Sequence, residues 1–214
     1  MGTFVLVACI KLLIASQGQY SPSLAPFGIG LTLMVIVSVY GYISLAQFNP
    51  SVTLAFIVRD YKELPRSDWF QWTMYFVSQF AGGICGGYFA WLAGGKEACR
   101  VYTAVDTSRY TRWQAFYGEL FFCCMLVTVN LHVASDSRMS GNHVYAAAIG
   151  MILTVAALSI GEISGSAVNT AVWAGTVASA AACMEEGESL NLEHWWIYWV
   201  CAFVWIMVMV NQSC

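Results

Sequence analysis

Two short stretches carry the polar chemistry of an otherwise apolar chain: Asn49-Pro50-Ser51 and Asn169-Thr170-Ala171. Asparagine is a strong helix N-cap, and proline suits the first helical position, where its missing N–H is unsatisfied anyway. Each stretch therefore starts a helix. A helix N-terminus carries roughly half a positive charge from its aligned peptide dipoles. If two such ends meet from opposite sides, a narrow path between them repels cations. It also offers a passing solute two side-chain amides as donors and the preceding loop carbonyls as acceptors. Pore width, lining donors and acceptors, and half-helix dipoles are the physical means by which a channel admits water and blocks protons. Either asparagine alone reads as a simple cap; the pair reads as pore lining.

The pair is related by a repeat. GYISLAQFNPSV (41–52) aligns with GEISGSAVNTAV (161–172) at the offset that carries Asn49 onto Asn169. Gly41 meets Gly161, Ser44 meets Ser164 and Val52 meets Val172, and further back Ile29-Gly30 meets Ile149-Gly150. So many matches at one offset mark an internal repeat.

The elements that hold the motifs are membrane spans. The chain has 214 residues, 59% of them hydrophobic and 10% charged, against about 25% charged in a soluble domain. A bilayer core needs about 20 apolar residues per helix. Apolar segments run over roughly 2–17, 24–46, 69–94, 113–135, 144–162 and 195–211. Two more, Asn49 to Val58 and Asn169 to about Ala182, are too short to span. Each follows a full segment with no polar break. Short interrupted segments at matching places in two halves point to an inverted-repeat channel or transporter. Three spans per half is an odd number, so the second half enters the membrane inverted. Trp69, Trp72, Trp113, Trp195, Trp196 and Trp199 crowd segment ends as an interfacial belt. Arg59, Lys62, Arg66 and Arg138 on one side balance Lys96, Arg100, Arg109 and Arg112 on the other, so loop charge does not orient the chain.

These motifs resemble the aquaporin, or major intrinsic protein, family, along nearly the whole chain. GYISLAQFNPSVTLAF is similar to that family's first signature and GEISGSAVNTAVWAG to its second. WQAFYGELFFCCMLV resembles the fourth span and HWWIYWV the start of the sixth. The resemblance implies an all-α membrane protein with six transmembrane helices and two re-entrant half-helices. It implies one aquaporin-like domain over 1–214, with inverted repeats of about 1–95 and 113–214. It also implies a passive channel for water or small neutral solutes, with membrane lipids around it, assembled as a homotetramer or else held in a larger membrane assembly. Neither a cofactor nor a metal is implied, and the net charge of −3 gives no reason to expect nucleic acid.

The departures are specific. Ser51 stands for alanine, Leu45 for a packing glycine, Gln47 for a common histidine and Thr170 for proline. Val172 occupies the place of the family's constriction arginine, and its partners by spacing are Ile29, Ala157 and Ser166. The implied filter is apolar or small. Gly30 and Gly150 are expected as packing residues, and Glu119 as a buried acceptor for the loop before a half-helix, with proton relay as the rival. The family also places residues, a glutamate among them, ahead of Gly2; a first span of about 16 residues reaches about 24 Å. These departures motivate an alternative: an aquaporin-derived structural or accessory subunit with little or no conduction.

The remaining polar residues have plain readings. Lys11 near the end of the first span is expected to snorkel to the interface, a partner contact being the rival. Glu162 reads as a solvated rim charge, and His132, His143 and His194 as interfacial histidines. The eight cysteines form no CxxC pair and are expected as buried small hydrophobes, without a disulfide or metal framework. No nucleophile–base pair or phosphate loop appears, so an enzyme is not expected.

Overall fold

The computed structural model describes residues 1–20, 24–60, 68–135, 141–201 and 203. The expected sixth span beyond residue 203, the charges Lys62, Arg66 and Arg138, and Cys214 lie outside the described residues. Among those described, all regular structure is helical. The helices are α1 (Gly2–Tyr20), α2 (Ala25–Ser44), α3 (Pro50–Asp60), α4 (Asp68–Arg100), α5 (Arg112–Ser135), α6 (Tyr145–Ser164) and α7 (Thr170–Ala182). A further helix begins at 196–201.

α2, α5 (over Arg112–Ala134) and α6 are long and apolar enough to cross a bilayer by length and composition. α4 is longer, at 33 residues, but one face carries glycine, serine and glutamine in place of large apolar groups. Those small residues are what its neighbours need. A Cβ on Gly83 would fall 2.5 Å from the Ala171 carbonyl, and one on Gly86 would fall 2.4 Å from the Phe4 carbonyl. α4 thereby packs closely on both α1 and α7. Its helical geometry breaks at Gly95 (φ 66°, ψ −157°), so Lys96 to Arg100 form a short, redirected end.

α2 packs on α6 through corresponding residues of the two repeats. A Cβ on Gly30 would sit 2.6 Å from the Gly150 carbonyl, and one on Gly150 would sit 2.5 Å from the Gly30 carbonyl. Ile29, Leu33, Ile149 and Leu153 flank this crossing in one apolar cluster. α3 and α7 touch each other at their buried N-terminal ends.

Two expectations are corrected here. The first helix does not stop near residue 17; it runs 19 residues to Tyr20, about 28 Å at the standard rise. The cysteines are not all lone hydrophobes, because Cys99 and Cys183 are joined by a disulfide with Cα atoms 6.4 Å apart. The bridge links the redirected end of α4 to the C-terminal end of α7. Its cause is tertiary: the Gly95 break turns Cys99 toward a residue 84 positions away. Sequence spacing carries no trace of that approach.

Candidate functional site

The two half-helices begin where the capping chemistry places them. The Asn49 side-chain oxygen accepts from the Ser51 N–H at 2.9 Å. The Asn169 oxygen accepts from Ala171 at 2.9 Å and from Val172 at 3.4 Å. Asn169 is extended (φ −156°, ψ 113°), as an N-cap should be. Losing proline at 170 does not displace this start; the Thr170 hydroxyl instead donates to the Tyr198 carbonyl at 3.2 Å.

The asparagine amides then cross over. Asn49 Nδ2 donates to the Val168 carbonyl at 2.8 Å, and Asn169 Nδ2 donates to the Phe48 carbonyl at 3.0 Å. Each amide binds the residue just before the other asparagine. An amide nitrogen has two hydrogens, so one on each asparagine stays available to a third molecule. Both side chains line a central cavity of about 670 Å³.

That cavity collects the sequence-expected filter. Ile29, Ala157, Ser166 and Val172 all line it. Its mouth is marked by Arg100, Tyr102 and Glu162, and its lining extends past the asparagines to Val52, Leu126 and Asn130. Ser166 brings a hydroxyl whose oxygen has no protein partner. The repeat partners of Ile29, Ser166 and Val172 are Ile149, Ala46 and Val52, and these line the cavity too. The fourth repeat partner, Val37, is buried in the surrounding apolar cluster. Valine therefore stands three residues after both asparagines.

The loops before the asparagines hold four non-glycine residues at positive φ: Leu45 (53°), Ala46 (50°), Ser166 (47°) and Val168 (38°). Such backbone is uncommon and persists only where the surroundings over-determine it. Glu119, 1% exposed, does this for the second loop. Its carboxylate accepts from Ser164 Oγ at 2.6 Å, Ala167 N at 2.9 Å and Val168 N at 2.8 Å. Tyr198 adds a hydroxyl donated to the Ser164 carbonyl at 2.6 Å. Gln79 serves the first loop, donating to the Gln47 carbonyl and to Thr53 Oγ1, each at 2.7 Å. Gln79 and Tyr198 were not singled out from the sequence. A polar residue facing inward from an apolar helix was the available signal.

The 101–111 connection closes over the cavity mouth. Asp106 N donates to the Ile163 carbonyl at 3.1 Å. The Asp106 carboxylate accepts from the Ser108 hydroxyl and from Arg109 Nε, and these bonds hold its pKa below the usual carboxylate range. Glu162 is exposed on the rim, 3.7 Å from Arg109. Across the mouth, Lys96 pairs with Glu185 and lowers that carboxyl's pKa, while Arg100 pairs with Glu188 at 2.8 Å. His132 and His143 are exposed and His194 is half-buried, none of them at the cavity.

Lys11 overturns its expected reading. It does not snorkel, for it is 0% exposed. Its Nζ donates to the carbonyls of Cys99 (2.9 Å), Val101 (2.7 Å) and Thr176 (3.3 Å) and to Ser179 Oγ (2.7 Å). The 99–101 backbone supplies two of these acceptors and α7 the other two, so the ammonium is satisfied without reaching water.

Residues 1–209 match the family described as Major intrinsic protein. The chain belongs to that family. Among curated major intrinsic proteins it is similar to Aquaporin NIP3-1 of Oryza sativa subsp. japonica, 29% identical over 208 residues, covering 92% of this chain and 60% of that one. It is similar also to Aquaporin-1 of Rhizophagus irregularis, 30% identical over 192 residues, covering 89% of this chain and 64% of the relative. The chain thus spans roughly 60% of the length of these two relatives. In structure it resembles the aquaglyceroporin from Plasmodium falciparum, with a TM-score of 0.80, 20% identity, and coverage of 99% of this chain and 90% of that one. That likeness shows the major intrinsic protein fold, and the chain is an integral membrane protein.

Proposed function

We propose that this chain is a passive channel for water or small neutral solutes whose filter lacks the family's arginine. One observation carries the reading: the cavity passes both cross-bonded asparagines and all four filter positions, Ile29, Ala157, Ser166 and Val172. A solute there meets one free amide hydrogen from each asparagine and the free Ser166 hydroxyl, set among walls that are mostly apolar but also carry Thr103, Thr176 and Asn130. Fixed donors along the passage orient a hydroxyl-bearing solute without holding it. The resting assembly on this reading is a homotetramer with one path per subunit.

Valine at 172 removes a cation and a large side chain from the constriction. Val172→Arg should therefore lower the flux of glycerol or urea relative to water by about tenfold or more, the scale set by losing a fitted pocket contact. Swelling and shrinking of proteoliposomes under water, urea and glycerol gradients measures that ratio. If neither wild type nor variant passes any of them faster than empty liposomes, the reading fails. A structural subunit of a larger membrane assembly then takes its place.

A further inference from the structure

We propose that Lys11 is the specificity-determining charge of this chain: from behind the wall formed by Val101 and Thr176 it holds the outer half of the cavity positive and bars cations, a task that the side chain at 172 leaves undone. The inference rests on reading the cavity as a conducting path.

The placement is unusual in three ways. First, Lys11 belongs to α1, whose neighbouring residues Ile10 and Ile14 line the cavity. Lys11 itself does not line it. Its ammonium donates to the backbone of Val101 and Thr176, and both of those residues do. The charge therefore sits one residue behind the wall. Thr176 lies one helical turn beyond Val172 on α7, about 6 Å along the axis. Thr103 meets Thr176 through their hydroxyl oxygens at 3.2 Å and extends the same wall.

Second, all four contacts of the ammonium are carbonyl or hydroxyl oxygens. An ammonium has three hydrogens and no lone pair, which suits a cage of acceptors; a neutral amine would turn a lone pair toward an oxygen. Third, among the described residues no carboxylate lies within ion-pair distance of Lys11, whereas the cations at the mouth are matched. Lys96 pairs with Glu185, Arg100 with Glu188 and Arg109 with Asp106. With Glu162, which lines the cavity and shares Arg109 with Asp106, these exposed groups are four carboxylates against three cations, and screening by salt weakens that surplus. The buried charge is screened much less. A charge of one sign beside a cleft with low-dielectric walls shifts local ion concentration strongly.

The experiment uses the purified full chain in liposomes, with water and glycerol flux read by light scattering and potassium entry read by membrane current. Lys11→Gln removes the charge and keeps two donors. Ser179→Asp leaves the lysine in place and sets a carboxylate beside its Nζ, so the test survives if Lys11→Gln does not fold. Wild type is expected to pass solute and exclude potassium. Either variant is expected to keep solute flux within about twofold while potassium entry rises about tenfold or more. Adding Val172→Arg to Lys11→Gln should restore exclusion, which a purely structural role for the lysine would not yield. Folded variants that conduct solute and stay closed to potassium overturn the inference alone. So does a wild type that admits potassium. A wild type without solute flux rejects the conducting path, and the inference with it.

Discussion

The two re-entrant loops share a backbone plan and differ in what holds them. Before Asn169, a buried carboxylate accepts three donors from the loop. Before Asn49, an amide from α4 donates to a loop carbonyl and to Thr53. The first arrangement satisfies N–H groups, which have few other partners inside a bundle. The second satisfies a carbonyl and leaves the Gln47 and Gln79 side-chain oxygens without partners. The far ends differ as well, since α7 is closed by the Cys99–Cys183 bridge. Repetition of sequence thus fixes where each half-helix starts, and anchoring residues that the two repeats do not share set how firmly it is held.

Breaking the stronger anchor should give the largest effect. Glu119→Ala leaves the Ala167 and Val168 N–H groups unpaired, at about 1–3 kcal/mol each, while the Ser164 hydroxyl falls back on the Ile160 carbonyl. The expected loss is on the order of 3 kcal/mol or more, seen as a lower melting temperature in detergent and lower abundance. A variant of wild-type stability with altered proton flux would reverse the assignment from anchor to relay.

The bridge ranks second. Replacing Cys99 and Cys183 by serine should cost about 2–4 kcal/mol, the usual range for a disulfide closing a long loop. The chemistry also orients the chain, because disulfides persist in oxidising compartments. The face bearing residues 96–111 and 183–193 is expected to be the extracytoplasmic one. Mass spectrometry of the unreduced protein should find the linked peptides. Finding both thiols free in protein taken from intact membranes would remove the bridge and the orientation together.

Third comes the weaker anchor. Gln79→Leu removes two donated bonds from the first loop, and the expected loss is about 1–2 kcal/mol. The comparison predicts the order: Gln79→Leu milder than Glu119→Ala in the same detergent melt. The reverse order would mean that the α3 loop, not the α7 loop, limits stability.

These differences explain what the sequence could show. Asn49 and Asn169 were legible because capping and repeat spacing are local properties, whereas the filter positions rested on the resemblance to the family. Glu119 was legible because a carboxylate in an apolar run demands a partner. Lys11 raised the same demand, yet its partners lie 88 to 168 positions away. Three of the four are backbone carbonyls, which no residue type announces. Cys99 and Cys183 read as hydrophobes because the turn at Gly95 that joins them is a backbone event. Gln79 gave only the weak signal of an amide in a span.

The smallest effect concerns Leu45 and its repeat partner Gly165. Both end a helix in the left-handed region, at φ 53° and 77°, and each donates its N–H to the carbonyl four residues back, at 2.9 and 3.0 Å. Only one of them is glycine, the residue that adopts this backbone without steric cost. Gly165→Ala should destabilise by about 1–2 kcal/mol through the backbone alone, and its Cβ would also press on Thr103 Cα at 3.0 Å. Leu45→Gly removes the corresponding strain, offset in part by the greater chain entropy of glycine, for a net gain of about 0.5–1 kcal/mol. The Leu45 side chain is 45% exposed in the single chain, so little packing is lost. Paired detergent melts of the two variants measure the contrast. If Leu45→Gly instead destabilises by more than about 1 kcal/mol, the leucine must be packed in the native membrane. The surface that covers it would then be a neighbouring subunit, and the strain at residue 45 would be held by assembly.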